Sequence, residues 1–309
     1  MTKQFTVDEA TGLAFLLGQL SYIESKLYET KYKNITYPQV VPVSNEAGEA
    51  ATSITYFFLD GRTVAKFVGT NSLDVPISEI GTNKVTIAVE LAATGYQYSD
   101  EELRQAIFLG RPLPQLKANM ARRGYEELAQ RVCMVGDTTY NLPGFINNTN
   151  VTASSTDDPG DGTEFVNKTP QQILFSINDF MGDIFVDTLQ IERPDTLALP
   201  TAQWNHIAGT PRSDNSDMTI LKWLVANSPY LNSEADVIPL TELTGAGAAS
   251  TDRMMAYTKS MDKVVFHIPM PLKFTEPQRK GRGFEVPGEA KLSGVEFRYP
   301  GSARYADGI

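Results

Sequence analysis

The sequence predicts an α+β fold, and three stretches of it carry that expectation. Residues 52–68 and 83–94 are strand-like runs, rich in β-branched and aromatic side chains. Residues from about 114 to 135 read as one long helix. From residue 171 helices and short strands alternate, before a Pro- and Gly-studded tail returns to strands. A length of 309 residues suggests about two domains. With 41% hydrophobic and 21% charged residues, the chain has the composition of a globular protein rather than a disordered one.

The first segment is amphipathic. Val7, Ala10, Leu13, Ala14, Leu16, Leu17, Leu20, Ile23 and Leu27 recur at helical spacing, with Ser21, Glu24 and Lys26 on the other side. Such a helix needs a partner surface. Pro38 and Pro42 then predict an extended path. Residues 1–50 therefore read as an arm.

The two strand-like runs follow. The first is expected to break at Asp60-Gly61, and the second alternates Val85, Ile87, Val89 and Leu91 against Lys84, Thr86, Ala88 and Glu90. Between them lies a long stretch with apolar Leu73, Val75, Ile77 and Ile80, where two residues would suffice for a hairpin turn. A two-stranded ribbon is marginal in water, so this one is expected to lie on something else, in its own chain or a neighbour.

Ser99 and Glu102 form a capping box that opens a helix to about Leu109. The long helix has apolar positions Leu116, Met120, Leu128, Val132 and Val135, and Gly136 suits its end. At 1.5 Å per residue it is about 33 Å long, a spine as long as a small domain is wide. The Ser/Thr/Asp/Gly-rich segment 147–170 reads as a surface loop or boundary. Helices are expected at about 171–187, from Thr201 and from Asp217, and strands at 196–199, 237–240, 253–258, 263–268, 283–286 and 294–299.

Catalytic chemistry is not visible. His206 and His267 lack a neighbouring orienting acid, and Cys133, beside Val132, Met134 and Val135, reads as a buried inert thiol. One cysteine allows no internal disulfide, and two histidines with one cysteine make a His- or Cys-built metal centre improbable. No cofactor motif occurs; GAGAAS at 245–250 lacks the Lys-Ser/Thr of a phosphate loop and reads as a turn. No run of eighteen apolar residues exists, so no membrane helix is expected, and the acids near the N-terminus are unlike a secretory signal. The expectation is a chain made in the cytosol. A formal charge of −10 excludes a whole-surface nucleic-acid footprint. The densest basic cluster is Lys273, Arg279, Lys280 and Arg282, with Glu276 and Glu285 close by, so it reads as an inter-subunit ion-pair patch or a local DNA-facing one. An arm, a ribbon and a spine are more surface than one small globule uses, which favours an assembly subunit.

The order of these elements resembles the major capsid proteins of tailed bacteriophages, the HK97-like capsid fold, which encapsulin shells share. The likeness is carried by ARRGYEELAQRVCMVGDTTYNLPGFIN at 121–147, RPDTLALPTAQWNHI at 193–207, FHIPMPLKFTEPQRKGRGFEVP at 266–287 and GVEFRYPGSARYADGI at 294–309. Within the first, Leu142-Pro143-Gly144-Phe145-Ile146-Asn147 is similar to a segment that follows the spine helix in such subgroups.

The resemblance implies an N-terminal arm at 1–50 and an extended loop at 51–95 lying over a neighbour, with tip contacts from Leu73, Val75, Ile77 and Ile80. It implies a peripheral domain at 96–170 and 269–309, and an axial α/β domain at 171–268. The implied function is that of a structural subunit of an icosahedral phage head, assembling with itself into pentamers and hexamers around double-stranded DNA held by non-specific contact. No enzyme activity and no cofactor are implied. Separate scaffolding, decoration and portal proteins are the other implied partners, and the virion the implied location. The arm begins almost at once, without the long scaffolding segment of many relatives, so scaffolding is expected to be separate or absent. Relatives that crosslink use a loop lysine and a neighbour's asparagine; Lys66 and Lys84 lie in that region but read as plain surface lysines, with crosslinking as the alternative. An encapsulin-type compartment subunit packaging an enzyme, and a carboxylate-based enzyme, are the competing readings.

Overall fold

In the computed structural model, which describes residues 34–62, 65–67, 79–109, 113–156, 162–213, 215 and 217–309, Tyr37–Val40 forms a one-turn helix, α1, with Pro38 in its first turn. The ring has no N–H to lose there, so the path expected to be extended at Pro38 is helical, and it extends only from Val41. The amphipathic segment at 7–27 lies outside the described residues. From Ile35 to Ile309 the chain forms one unit. Its first strand, β1 (Val43–Ser44), pairs parallel with β10 (Val264–His267).

The two strand-like runs are β2 (Ser53–Arg62) and β3 (Glu79–Ser99), paired antiparallel from Ser53↔Ala88 to Arg62↔Glu79. The break expected at Asp60-Gly61 is absent. Pairing continues through Asp60↔Gly81 and Gly61↔Ile80, because a ladder needs only backbone groups. The strand β3 is also far longer than its alternating part. From Val89 to Ser99 it pairs with β13 (Gly283–Ser293), which has β11 (Met270–Phe274) and β12 (Gln278–Lys280) on its other edge. The base of the ribbon is thus held within its own chain, and among the described residues its outer part is two-stranded.

Helix α2 (Asp100–Leu109) opens on the expected capping box: the Glu102 N–H donates to Ser99 Oγ and the Ser99 N–H to Glu102 Oε2, each at 3.1 Å. The spine is α3 (Leu113–Met134), ending before Gly136 at φ +80°. The segment after it caps its exposed carbonyls. The N–H of Phe145 donates to Cys133 O at 2.8 Å, that of Ile146 to Met134 O at 3.0 Å, and Asn147 Nδ2 to Val135 O at 2.8 Å. The short pair β4 (Gly136–Asp137) and β5 (Leu142–Pro143) brings this about, and a Cβ on Gly144 would lie 2.3 Å from the Val135 carbonyl carbon. Phe145, fully buried, packs edge-on to Tyr257 at 5.0 Å and stacks on Phe297 at 5.9 Å.

The segment 147–170, expected as a surface loop, instead buries Val151 and Phe165 and supplies β6 (Thr152–Ser155). Polar side chains hid a strand whose backbone pairs parallel with β15 (Ala303–Asp307). Then come α4 (Pro170–Asp187), β7 (Thr196–Leu199), α5 (Thr201–Gly209), α6 (Ile220–Asn227), β8 (Val237–Pro239), β9 (Arg253–Tyr257), β10 and β14 (Val295–Phe297). One sheet runs β6-β15-β9-β7-β8, joining strands from either side of the positions 170 and 268. Both its faces are buried. Tyr305, Tyr257, Met255 and Ala198 face a core with α3 and Phe145, whereas Ala306, Met254, Ala256, Leu197 and Leu199 face a second core built on α4, α5 and α6.

Replacing Gly144 by Ala drives a methyl into the Val135 backbone. We expect a loss of about 1–3 kcal/mol in unfolding free energy by chemical denaturation. Phe145→Ala, which empties the joint between spine and sheet, is expected to cost about 3–5 kcal/mol.

Candidate functional site: surfaces for assembly

Closed interior groups explain why no reaction chemistry was legible. His267 does meet an acid, Glu296 on the paired strand β14, with Nε2 and Oε2 2.7 Å apart. No local sequence signal marks that pair, because it crosses the β10–β14 ladder. Both residues are buried, at 4% and 1% exposure, so no substrate reaches them. Burial pushes the Cys133 thiol well above its ordinary range, leaving an inert side chain. Among the described residues no group of three or more His, Cys, Asp or Glu gathers to hold a metal, and no helix is long and apolar enough to cross a membrane.

The outward features are different. On β2 the side chains alternate between two environments. Ile54, Tyr56 and Phe58 are half-buried on the inner face, where Phe58 meets Tyr299 edge-on at 6.1 Å and Tyr56 meets Phe58 at 4.9 Å. Burial, then Glu296, pushes the Tyr56 phenol up to about 12, so it stays protonated against the body. On the outer face Phe57 is 65%, Leu59 75% and Ile80 70% exposed, beside Lys84, which is paired with Phe57 in the ladder. Of the tip residues expected to contact a neighbour, Ile80 is therefore exposed, and Leu73, Val75 and Ile77 lie outside the described residues. Phe67 is also fully exposed.

The structure divides the basic cluster. Lys273, on β11, pairs with Glu49. Arg279 and Lys280, on β12, reach Asp100 at 3.4 Å and Glu285 at 2.6 Å. Arg282 is exposed, and it lines a cavity of about 370 Å³ with Gln97, Glu102, Lys117 and Lys280 at the base of the ribbon. Three of the four cations thus have an acid in their own chain. All three pairs are largely exposed and so contribute little to stability.

Gln130 on the spine ties down the backbone of Thr36 and Tyr37, and nothing in the sequence marks it. Its Oε1 accepts from the N–H groups of Thr36 (3.0 Å) and Tyr37 (2.8 Å). Its Nε2 donates to Thr36 Oγ1 (2.9 Å) and to Glu242 Oε1 (2.8 Å). The amide therefore uses both donors and both lone pairs of its oxygen. The Tyr37 hydroxyl adds a bond to Glu126 Oε2 at 2.9 Å; burial, then Glu126, raises its pKa and keeps the donating proton in place. These bonds fix the backbone at Thr36 and Tyr37 against the spine.

Comparison with known proteins points to a family. The family described as "Major capsid protein" matches residues 63–309. No curated protein matches the chain by sequence. Among solved structures, the capsid of Myoviridae phage XM1 superposes with a TM-score of 0.80 at 21% identity, over 94% of this chain and 98% of that one. The capsid of a native GTA particle gives 0.65 at 11% identity over 94% and 95%. A chain of Mycobacterium phage Ogopogo gives 0.61 at 13% over 98% and 99%. At these identities the likeness is one of fold.

Gln130→Leu keeps the volume and strands the Thr36 and Tyr37 N–H groups. Its expected cost is about 1–3 kcal/mol, read by denaturant titration, with faster hydrogen exchange at Thr36 and Tyr37.

Proposed function

Because the chain belongs to the major capsid protein family, we propose that its ribbon, arm and basic hairpin are the parts through which copies join into an icosahedral phage head. The protein is a structural subunit of the virion capsid, not an enzyme, and it self-assembles into a multi-subunit shell. The observation that carries the finer reading is the outer face of the ribbon, with Phe57, Leu59 and Ile80 bare to solvent on a two-stranded element. An exposed apolar row on a ribbon with no third strand is stabilised when a neighbour covers it.

In this reading residues 1–50 are the arm and 51–95 the extended loop over a neighbour. Residues 96–170 with 269–309 are the peripheral part, and 171–268 the axial part around five- and six-fold centres. The β15–β9 pairing, which crosses between them, supports a close union of the two parts rather than a hinge. Pentamers and hexamers enclose double-stranded DNA, touched without base preference, since a chain of charge −10 offers phosphates only local cations. Scaffolding, decoration and portal proteins are the remaining partners.

Purified protein is expected to form rings or closed shells in negative-stain electron microscopy. A stable 34 kDa monomer by light scattering under every salt condition overturns the assembly reading. Deleting residues 71–80 is expected to leave the thermal transition of the body in place and to abolish shells, because each apolar tip residue lost removes about 1.5–3 kcal/mol of burial. For the basic hairpin, Arg279→Glu with Lys280→Glu is expected to give intact empty shells that package DNA poorly. Failure of empty assembly would assign the hairpin to a subunit interface instead, and no change in either property would make it plain solvated surface.

A further inference from the structure

One exposed face of α4 is acidic and apolar at once. Phe175, Asp179, Asp183, Val186 and Asp187 follow one another at helical spacing, with Phe175 62% and Val186 68% exposed. The turn after the helix continues the apolar surface outward, with Leu189 83% and Ile191 78% exposed. Leu189 and Gln190 hold that turn in the left-handed region, at φ 54° and 69°, a conformation that costs a non-glycine residue energy. The turn is kept in place by its own bonds, among them Gln190 N–H to Phe185 O at 2.8 Å and Glu192 N–H to Thr188 Oγ1 at 3.0 Å.

The charge on this stripe is unbalanced. Arg304 pairs with Asp183 and Asp187, and exposed Asp179 has no ion-pair partner among the described residues. Burial, with Asp179 and Asp187 adding to it against Arg304, holds the Asp183 carboxyl above its usual range.

The outer face of the ribbon has the opposite character. It presents Thr55, Phe57, Leu59, Ile80, Thr82, Lys84 and Thr86, with one cation and no acid. Lys84 is exposed and has no ion-pair partner among the described residues. The lengths correspond as well: the six steps of strand from Thr55 to Gly61 span about 20 Å, and the twelve steps of helix from Phe175 to Asp187 about 18 Å. Within one chain it is the ribbon's inner face that turns to the body, at Tyr299.

We propose that the acidic-apolar stripe of α4 and its following turn receive the outer ribbon face of a second copy, Phe57 and Leu59 packing on Val186, Leu189 and Ile191 while Lys84 meets Asp179. This names the receiving surface and rests on the reading of the ribbon as an assembly element. Donor and acceptor patches differ, so the contact is head-to-tail, the kind of interface from which rings are built.

Charge exchange tests it. Lys84→Glu and Asp179→Lys are each expected to raise the protein concentration needed for assembly by about tenfold, the equivalent of about 1.4 kcal/mol per contact. The double variant, with the charges interchanged, is expected to recover to within about threefold of the parent. Val186→Ser, at a position too exposed to affect folding, is expected to weaken assembly to a similar degree with an unchanged thermal transition. Silent single variants overturn the proposal, as does a double variant no better than its parents. An Asp179→Lys defect with a silent Lys84→Glu assigns the stripe to another occupant, such as the N-terminal 33 residues, and overturns it too. In all three cases a parent protein that still forms shells, and loses them when residues 71–80 are deleted, leaves the reading of the ribbon standing. A parent that forms none removes both.

Discussion

Backbone pairing between β3 and β13 is the constraint on which the rest depends. It runs from Val89↔Ser293 to Ser99↔Gly283, so the lower half of a 21-residue strand is held in a sheet and the upper half projects. Glycine makes the ladder possible at its end, where a Cβ on Gly283 would lie 2.1 Å from the Tyr98 oxygen. Beyond that point the strand delivers Ser99 to the N-terminus of α2, and α2 leads into the spine. Ribbon, capped helix and spine are thus aimed by one set of hydrogen bonds, and the basic hairpin β12–β13 is set beside them by the same strand.

The body that carries this ladder is arranged around a sheet with two dry faces. Tyr305 is the clearest link: its hydroxyl donates to Phe145 O and accepts from the Asn148 N–H at 3.1 Å, with the Arg253 guanidinium 4.6 Å from its ring centre. Arg253 in turn holds Asp307, the pair being only 11% and 13% exposed. A charged pair so closed off is retained because each partner's polar atoms are used, with Arg253 also donating to Ile146 O at 2.7 Å. The capsid reading needs a body of this kind, since surfaces can be displayed only from a scaffold that does not yield.

Local signals were legible and distant ones were not. The capping box at Ser99, the spine, α4 behind Thr169 and the strand at 196–199 all announce themselves through neighbouring residues. The second half of β3 does not, because its alternation fades at Gly95 and is replaced by tyrosines whose partners lie some 190 residues on. β6 is hidden by its composition, Thr-Ala-Ser-Ser, and identified only by its ladder. The central strands β7 and β9 are buried on both faces, so they lack the period of two that would reveal which side is which. For the surfaces, sequence indicated the ribbon and the cations, but Gln130, the Glu296 partner of His267 and the stripe on α4 depend on tertiary placement.

The position of β15 has a consequence for timing. It lies between β6 and β9, and its residues are translated after every other strand of that sheet. Until Ala303–Asp307 emerge from the ribosome, β6 has no neighbour and the two cores share no complete wall. The ribbon, made some two hundred residues earlier, meanwhile has β13 still to come for its base. Contacts of such long sequence separation form slowly. A nascent chain therefore cannot present a finished assembly surface, and truncated products lack the strand that would let them compete with whole subunits for places in a growing particle.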